Sequence, residues 1–123
     1  MRLQIPEIPK SPNSQGGLLR MHWASRRRYG LRWQALVRSA IDNTHKTPKG
    51  KQMVTISQMR KRKLDPDNLY ASCKPILDAL VAWGLIKDDS SEHIELRCAQ
   101  VTGKEKITII DIRPYKPEEE VNA

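Results

Sequence analysis

The residues with the clearest chemical potential lie in one short stretch, Arg60 to Leu69, which reads Arg-Lys-Arg-Lys-Leu-Asp-Pro-Asp-Asn-Leu. Four consecutive cations precede two carboxylates, Asp65 and Asp67, that are two positions apart. Cations attract a polyanion, whereas paired carboxylates repel it unless a metal ion lies between them. The pattern therefore indicates a divalent cation that works on a phosphate group. The alternative interpretation is a solvated run of charge that ends at the N-cap of a helix.

Charge is distributed unevenly along the 123 residues, whose formal net charge is +8. Residues 1–63 carry fifteen Lys and Arg against two acidic residues, a net charge of +13, whereas residues 64–123 carry seven against twelve, a net charge of −5. The basic half predicts an anionic partner, and nucleic acid is favoured. An anionic membrane surface is disfavoured because the sequence has no basic amphipathic helix.

A second basic segment runs from Arg20 to Tyr29 and interleaves cations with the aromatic side chains of His22, Trp23 and Tyr29. Such a mixture suits single-stranded or distorted nucleic acid, because cations hold phosphates and rings stack on exposed bases. Alternatively, Trp23 anchors the loop to the core and the arginines are simply solvated. The candidate nucleic-acid-binding residues are Arg26, Arg27, Arg28, Arg60, Lys61, Arg62 and Lys63.

The length predicts one domain over residues 1–123, with a flexible tail over 114–123. The sequence has no apolar run long enough to span a membrane and no signal-peptide pattern, so we expect a cytoplasmic protein. Cys73 and Cys98 have no metal-ligand spacing. We interpret them as small buried hydrophobic residues, with a disulfide or a zinc site as the alternatives.

Hydrophobic periodicity predicts an α/β (α+β) fold, a mixed four-stranded sheet with two helices in the order β-α-β-α-β-β. The predicted strands cover residues 3–9, 52–59, 93–101 and 106–112, and the predicted helices cover 27–43 and 68–83. The last two strands are expected to form an antiparallel hairpin around the turn at residues 102–104.

The second predicted helix has two distinct faces. Its apolar face contains Leu69, Cys73, Ile76, Leu77 and Leu80. Its opposite face directs Asp67, Lys74 and Asp78 outward along one line. Pro75 disfavours a regular helix at this point, so either the helix is kinked there or it begins at that residue.

A magnesium site needs carboxylates that converge from different segments. Asp65 and Asp67 precede the second helix, and Asp88 and Asp89 follow it, so the turn after the helix must fold back for them to meet. Lys74 would supply positive charge to the transition state. A P-loop is excluded because its glycine-lysine motif is absent, and the three histidines lie in no recognisable motif.

These residues together resemble the RusA family of Holliday junction resolvases. The resemblance rests on Lys63-Leu-Asp-Pro-Asp-Asn-Leu69, Lys74-x-x-x-Asp-Ala-Leu80 and Gly84-Leu-Ile-Lys-Asp-Asp89, and it covers residues 60–97. Members of that family are small metal-dependent endodeoxyribonucleases, often carried by prophages. One departure is a three-residue insertion before the helical lysine, which moves Lys74 farther along the helix.

The resemblance implies a function, a cofactor and an assembly. It places the family's three catalytic, metal-binding aspartates at Asp65, Asp67 and Asp89, and its catalytic lysine at Lys74. It implies a homodimer that uses Mg²⁺, with Mn²⁺ as a substitute, to cut opposed strands of a four-way DNA junction in recombination and repair, in a bacterial or prophage-encoded setting. The alternative is a non-catalytic basic module that binds nucleic acid.

Overall fold

The structure is a computed structural model, and it describes residues 1–12, 17, 21–42 and 45–117. Seven elements follow one another along this part of the chain: β1 (Arg2–Ile5), α1 (Trp23–Ala40), β2 (Gln52–Arg60), α2 (Pro66–Ser72), α3 (Lys74–Ala82), β3 (Ile94–Thr102) and β4 (Ile107–Pro114). The strands form one mixed four-stranded sheet, which confirms the predicted fold class.

The order of strands across the sheet is β1-β4-β2-β3. β3 is parallel to β2, with Gln52 opposite Ile94, and β4 is antiparallel to both β1 and β2. The predicted β3–β4 hairpin is therefore wrong, because β2 lies between these two strands. The connecting turn crosses the end of β2, where the N–H of Gly103 donates to the carbonyl of Arg60 at 2.9 Å. A Cβ at Gly103 would clash with the Met59 side chain, so a larger residue at this crossing would require that side chain to move.

One face of the sheet packs against the helices and carries the core. In β1, β2 and β4 the alternation directs side chains to this face, so that every second residue is buried, whereas β3 buries only Ile94. The buried side chains of this face include Leu3, Ile5, Val54, Ile56, Ile110 and Ile112. On the opposite face of β2, Thr55, Ser57 and Met59 are partly exposed.

α1 begins four residues earlier than predicted and ends three residues earlier. His22 caps its N-terminus, where the ring Nδ1 accepts the N–H of Ala24 at 3.3 Å. One face of α1 carries an apolar stripe, on which Trp33 and Val37 are fully buried. This stripe packs against α3 and β1.

The second predicted helix is two helices that meet at Cys73. Pro75 has no N–H to donate to a carbonyl of the preceding turn. The N–H of Cys73 donates to the carbonyl oxygens of Tyr70 and Ala71, three and two residues earlier, which tightens the end of α2. α3 starts at Lys74, with Pro75 in its first turn, where proline is tolerated. The predicted burial of Leu69, Cys73 and Ile76 holds across both helices.

Part of the predicted tail is ordered. Pro114 belongs to β4, and the N–H of Tyr115 donates to the carbonyl of Lys51 at 3.0 Å. The ammonium group of Lys51 also lies 4.5 Å from the centre of the Tyr115 ring. Residues 118–123 lie outside the described residues.

Candidate active site

Asp65 and Asp67 lie at the start of α2, directly after the exposed cations that follow β2. Asp65 is the N-cap residue: its Oδ1 accepts the N–H of Asn68 at 2.9 Å, and its Oδ2 accepts the Asn68 side-chain amide at 2.9 Å. Pro66 fills the first helical position, where its missing N–H costs nothing. Asp67, in the first turn, is exposed. The local sequence therefore builds a capped helix start with two solvent-facing carboxylates.

A Schellman motif reverses the chain after α3. Gly84 has a φ of +69°, its N–H donates to Val81, and the N–H of Leu85 donates to Leu80 at 2.9 Å. Leu85 and Ile86 are then fully buried, so this segment is held against the core. The chain thus folds back after α3, although the contact that this gives Asp89 is with Lys74 and not with Asp65 or Asp67.

The fold-back brings Asp89 to Lys74, fifteen positions earlier in the sequence. The Lys74 Nζ donates to Asp89 Oδ2 at 2.6 Å and lies 3.1 Å from Asp78 Oδ1. These hydrogen bonds, first that of Asp89 and then that of Asp78, raise the pKa of Lys74. In turn, the Lys74 ammonium group lowers the pKa of Asp89. Lys74 therefore bridges two carboxylates on the surface of α3.

The described residues contain no group of three His, Cys, Asp or Glu side chains arranged to hold a metal ion. By chemistry the predicted set suits Mg²⁺, since Asp65, Asp67 and Asp89 offer only carboxylate oxygens. The arrangement of these carboxylates does not fit a Mg²⁺ site. Asn68 donates hydrogen bonds to both oxygens of Asp65, and the Lys74 ammonium group donates to Asp89. The cation that Asp89 contacts in this structure is an ammonium group of the protein.

The predicted nucleic-acid-binding cations divide into two kinds. Arg60 corrects the prediction: it is buried, and its guanidinium donates to Gln58 and to the carbonyl of Pro9. It closes the sheet against the N-terminal segment and does not face solvent. Six of the predicted cations are exposed on α1 or after β2: Arg26, Arg27, Arg28, Lys61, Arg62 and Lys63.

The aromatic residues of the basic segment also differ from one another. Trp23 is 72% exposed at the start of α1, with its ring centre 5.5 Å from that of His22, so it does not anchor the loop to the core. Tyr29 is buried, and its hydroxyl accepts the N–H of Lys10 at 2.7 Å. Trp23 is thus an exposed ring beside the arginines, whereas Tyr29 is structural.

Sequence reasoning missed a buried polar cluster beneath α2 and α3. The Gln58 amide donates to the Ser72 hydroxyl at 3.1 Å and to the Cys73 sulfur at 3.4 Å. Its oxygen accepts from Arg60 at 2.7 Å. The alternation of residues in β2 could have revealed this cluster. Gln58 follows Val54 and Ile56 at every second position on the inward face, so it is a polar residue at a core position.

Neither a known protein-family model nor a curated protein matches this chain. None of the helices in the described part of the chain combines the length and apolar character needed to cross a membrane.

Proposed function

We propose that this chain is an endodeoxyribonuclease that resolves four-way (Holliday) DNA junctions by hydrolysing phosphodiester bonds, as its resemblance to the RusA family implies. The observation that carries the proposal is the contact between Lys74 and Asp89. Two motifs separated in sequence, each with a role in that resemblance, meet at 2.6 Å because the chain folds back after α3. A charge run that merely ended at a helix cap would not require this meeting.

The electrostatics of the surface support a nucleic-acid substrate. Lys61, Arg62 and Lys63 are exposed, and the exposed carboxylates Asp65 and Asp67 follow within four residues. Cations that neutralise phosphates supply most of the affinity for DNA, whereas carboxylates weaken it. Carboxylates beside such a surface are therefore better explained by chemistry on the phosphate than by binding alone.

The proposal assigns Asp65, Asp67 and Asp89 as catalytic carboxylates and Lys74 as a cation that stabilises charge on the phosphate. It includes Mg²⁺ as the cofactor, with Mn²⁺ as an alternative ion, on the strength of the resemblance and of the all-oxygen donor set. The carboxylates are not assembled into a ligand set in the described residues, so the chemistry proposed for this chain is limited to what its own side chains supply. A homodimer in a bacterial or prophage-encoded cytoplasmic setting belongs to the same proposal.

The test is cleavage of a labelled four-way junction, with and without Mg²⁺ or Mn²⁺. The wild-type protein is expected to nick the junction only with a divalent ion. Asp67→Asn is expected to abolish cleavage, a loss of at least about a hundredfold, because it removes a charge needed for the chemistry. Junction binding should persist, because losing a carboxylate does not weaken binding to a polyanion.

The matched control is Asp42→Asn, which removes the same charge from an exposed position just after α1, outside the proposed site. This variant is expected to cleave like the wild type. Undiminished cleavage by Asp67→Asn would contradict the nuclease proposal.

A second candidate function is a non-catalytic nucleic-acid-binding module. It is favoured by the exposed Trp23 ring beside Arg26 and Arg27, and by the lack of a three-ligand metal group in the described residues. This function predicts salt-sensitive junction binding without nicking in either ion. The cleavage assay above therefore separates the two functions.

A further inference from the structure

The two cysteines of the sequence are in contact in the folded chain. Cys73 joins α2 to α3 and is fully buried, whereas Cys98 lies on the helix-facing side of β3 and is partly exposed. They are 25 positions apart, and the Cys98 thiol donates to the Cys73 sulfur across 3.4 Å. The fold therefore places side by side two groups that can react with each other.

Hydrogen bonds in the surroundings of Cys73 lower the pKa of its thiol, although burial acts in the opposite direction. The hydrogen bond from Cys98 is the largest of the causes that lower the pKa of Cys73, and the Ser72 and Gln58 side chains and the positive charge of Arg60 act in the same direction. Cys98 holds the shared proton, because the hydrogen bond to Cys73 raises its pKa. A thiolate is the attacking species in disulfide exchange, so Cys98 must lose its proton before it attacks. The order of the two cysteines follows from exposure, since Cys98 is partly exposed and Cys73 is buried.

We propose that Cys73 and Cys98 form a redox-active pair that closes to an intramolecular disulfide when the protein meets a small-molecule disulfide such as oxidised glutathione. The two cysteines require only a small movement. A disulfide bond is about 2.05 Å long, so the sulfur atoms must approach by roughly 1.4 Å from their 3.4 Å separation.

The reaction balances as two exchange steps. First, Cys98, the sulfur that the reagent reaches, loses its proton and attacks one sulfur of the small disulfide. A mixed disulfide forms, and one small thiolate leaves with that proton. Second, Cys73 loses its proton and the resulting thiolate attacks the Cys98 sulfur, so the mixed disulfide breaks and the second small thiolate leaves with that proton. The protein loses two electrons and two protons, and the small disulfide gains them.

The disulfide would tie the junction of α2 and α3 to β3. Lys74 is the next residue after Cys73, so the tie forms directly beside the residue that bridges Asp78 and Asp89. The inference does not depend on the nuclease proposal, because it concerns only the thiols.

The experiment treats the fully reduced wild-type protein with oxidised glutathione, denatures it in N-ethylmaleimide and measures its intact mass. Reduced protein should take up two maleimides. Oxidised protein should remain monomeric, weigh about 2 Da less than the dithiol form and take up none, and dithiothreitol should restore both additions. Since the readout is a mass, loss of nuclease activity cannot imitate it.

The matched variant is Cys98→Ser, which changes the partly exposed member and leaves the buried one in place. It should take up one maleimide before and after oxidation. Cys73→Ser should stop at a glutathione adduct on Cys98. Two alkylatable thiols in oxidised wild type, a persistent glutathione adduct, or a disulfide between two chains would each overturn the proposal.

Discussion

At the scale of single residues, Lys74 is the side chain on which the site depends. Its ammonium group holds Asp89, at the end of the reversed segment, and Asp78, one turn along α3. A cation between two carboxylates does in this structure what a metal ion does in a carboxylate site: it allows the two negative charges to lie close together. Lys74 is therefore a positioning residue for Asp89 as well as the proposed source of charge at the phosphate.

Replacing Lys74 by Met tests the positioning role through stability. Because the pair lowers the pKa of Asp89 in the folded state, its stabilisation is present above the ordinary carboxyl pKa and is lost as the pH falls through the lowered folded value. The raised pKa of Lys74 preserves the pair throughout the neutral range, and its contribution is lost only when the pH rises through that raised value.

Since both side chains are partly exposed, Lys74→Met should cost less than about 1 kcal/mol of unfolding free energy at pH 7. The cost should disappear in acid. Urea unfolding at pH 7 and at acid pH measures both values. A cost that is unchanged in acid would show that the aliphatic part of the lysine, and not its charge, stabilises the fold.

The sequence indicated candidate residues for a site but not the contacts that these residues make. The types and spacing of Asp65, Asp67 and Lys74 indicated phosphate chemistry, and the need for Asp89 to fold back was stated from the order of elements. The choice of partner could not be predicted, because it depends on side-chain distances that differ by a few ångströms. Arg60 illustrates the limit: nothing in the run of cations distinguishes the one that β2 directs inward, except its place in the alternation.

At the scale of elements, Gly84 determines where the chain goes after α3. Its left-handed φ of +69° ends the helix and directs Leu85 back toward the core. Gly50 has a similar φ of +78° in open space, whereas a Cβ at Gly84 would lie 3.0 Å from the Thr47 hydroxyl oxygen. Substitutions at Gly50 and Gly84 therefore separate the energetic cost of backbone strain from the cost of steric crowding.

Gly50→Ala should cost about 1 kcal/mol of unfolding free energy through backbone strain alone. Gly84→Ala should cost that amount and more, roughly 2 kcal/mol, because Thr47 must also move. Chemical denaturation of both variants measures the difference. Equal costs would mean that the Thr47 side chain rotates away freely.

Sequence patterns predicted each strand, but the one pairing that they predicted, between β3 and β4, is wrong. The alternation in β3 and β4 is the same in a hairpin as in a sheet where β2 lies between them, so periodicity cannot separate the two topologies. The short turn predicted at residues 102–104 favoured the hairpin. Only the close approach of Gly103 to Met59 distinguishes the crossing, and that contact is not visible in the sequence.

At the scale of the whole molecule, the excess of positive charge in the first half is the feature that would attract DNA. Lys61 and Arg62 follow the end of β2, whereas Lys46 and Lys49 precede its start, and all four are exposed. A nine-residue strand separates the two pairs by about 30 Å. The two pairs carry equal charge and are therefore well matched for a comparison of binding.

The double variant Lys61→Gln/Arg62→Gln should weaken junction binding and reduce the salt slope, the dependence of log K on log salt, by roughly 0.9 for each phosphate that the protein no longer neutralises. Lys46→Gln/Lys49→Gln should leave the slope nearly unchanged. Fluorescence anisotropy at several salt concentrations measures both slopes. An equal reduction in the two variants would assign binding to net charge and not to the surface beside Asp65.

The place of β4 within the sheet has a consequence for how this protein is made. β4 is the last strand of the described chain, yet it is the neighbour of both β1 and β2, and β1 pairs with no other strand of the described residues. β1 therefore has no strand to pair with until residue 114 has been synthesised and released from the exit tunnel of the ribosome. During translation β2 can pair with β3 first, whereas β1 joins the sheet only after β4 has followed them.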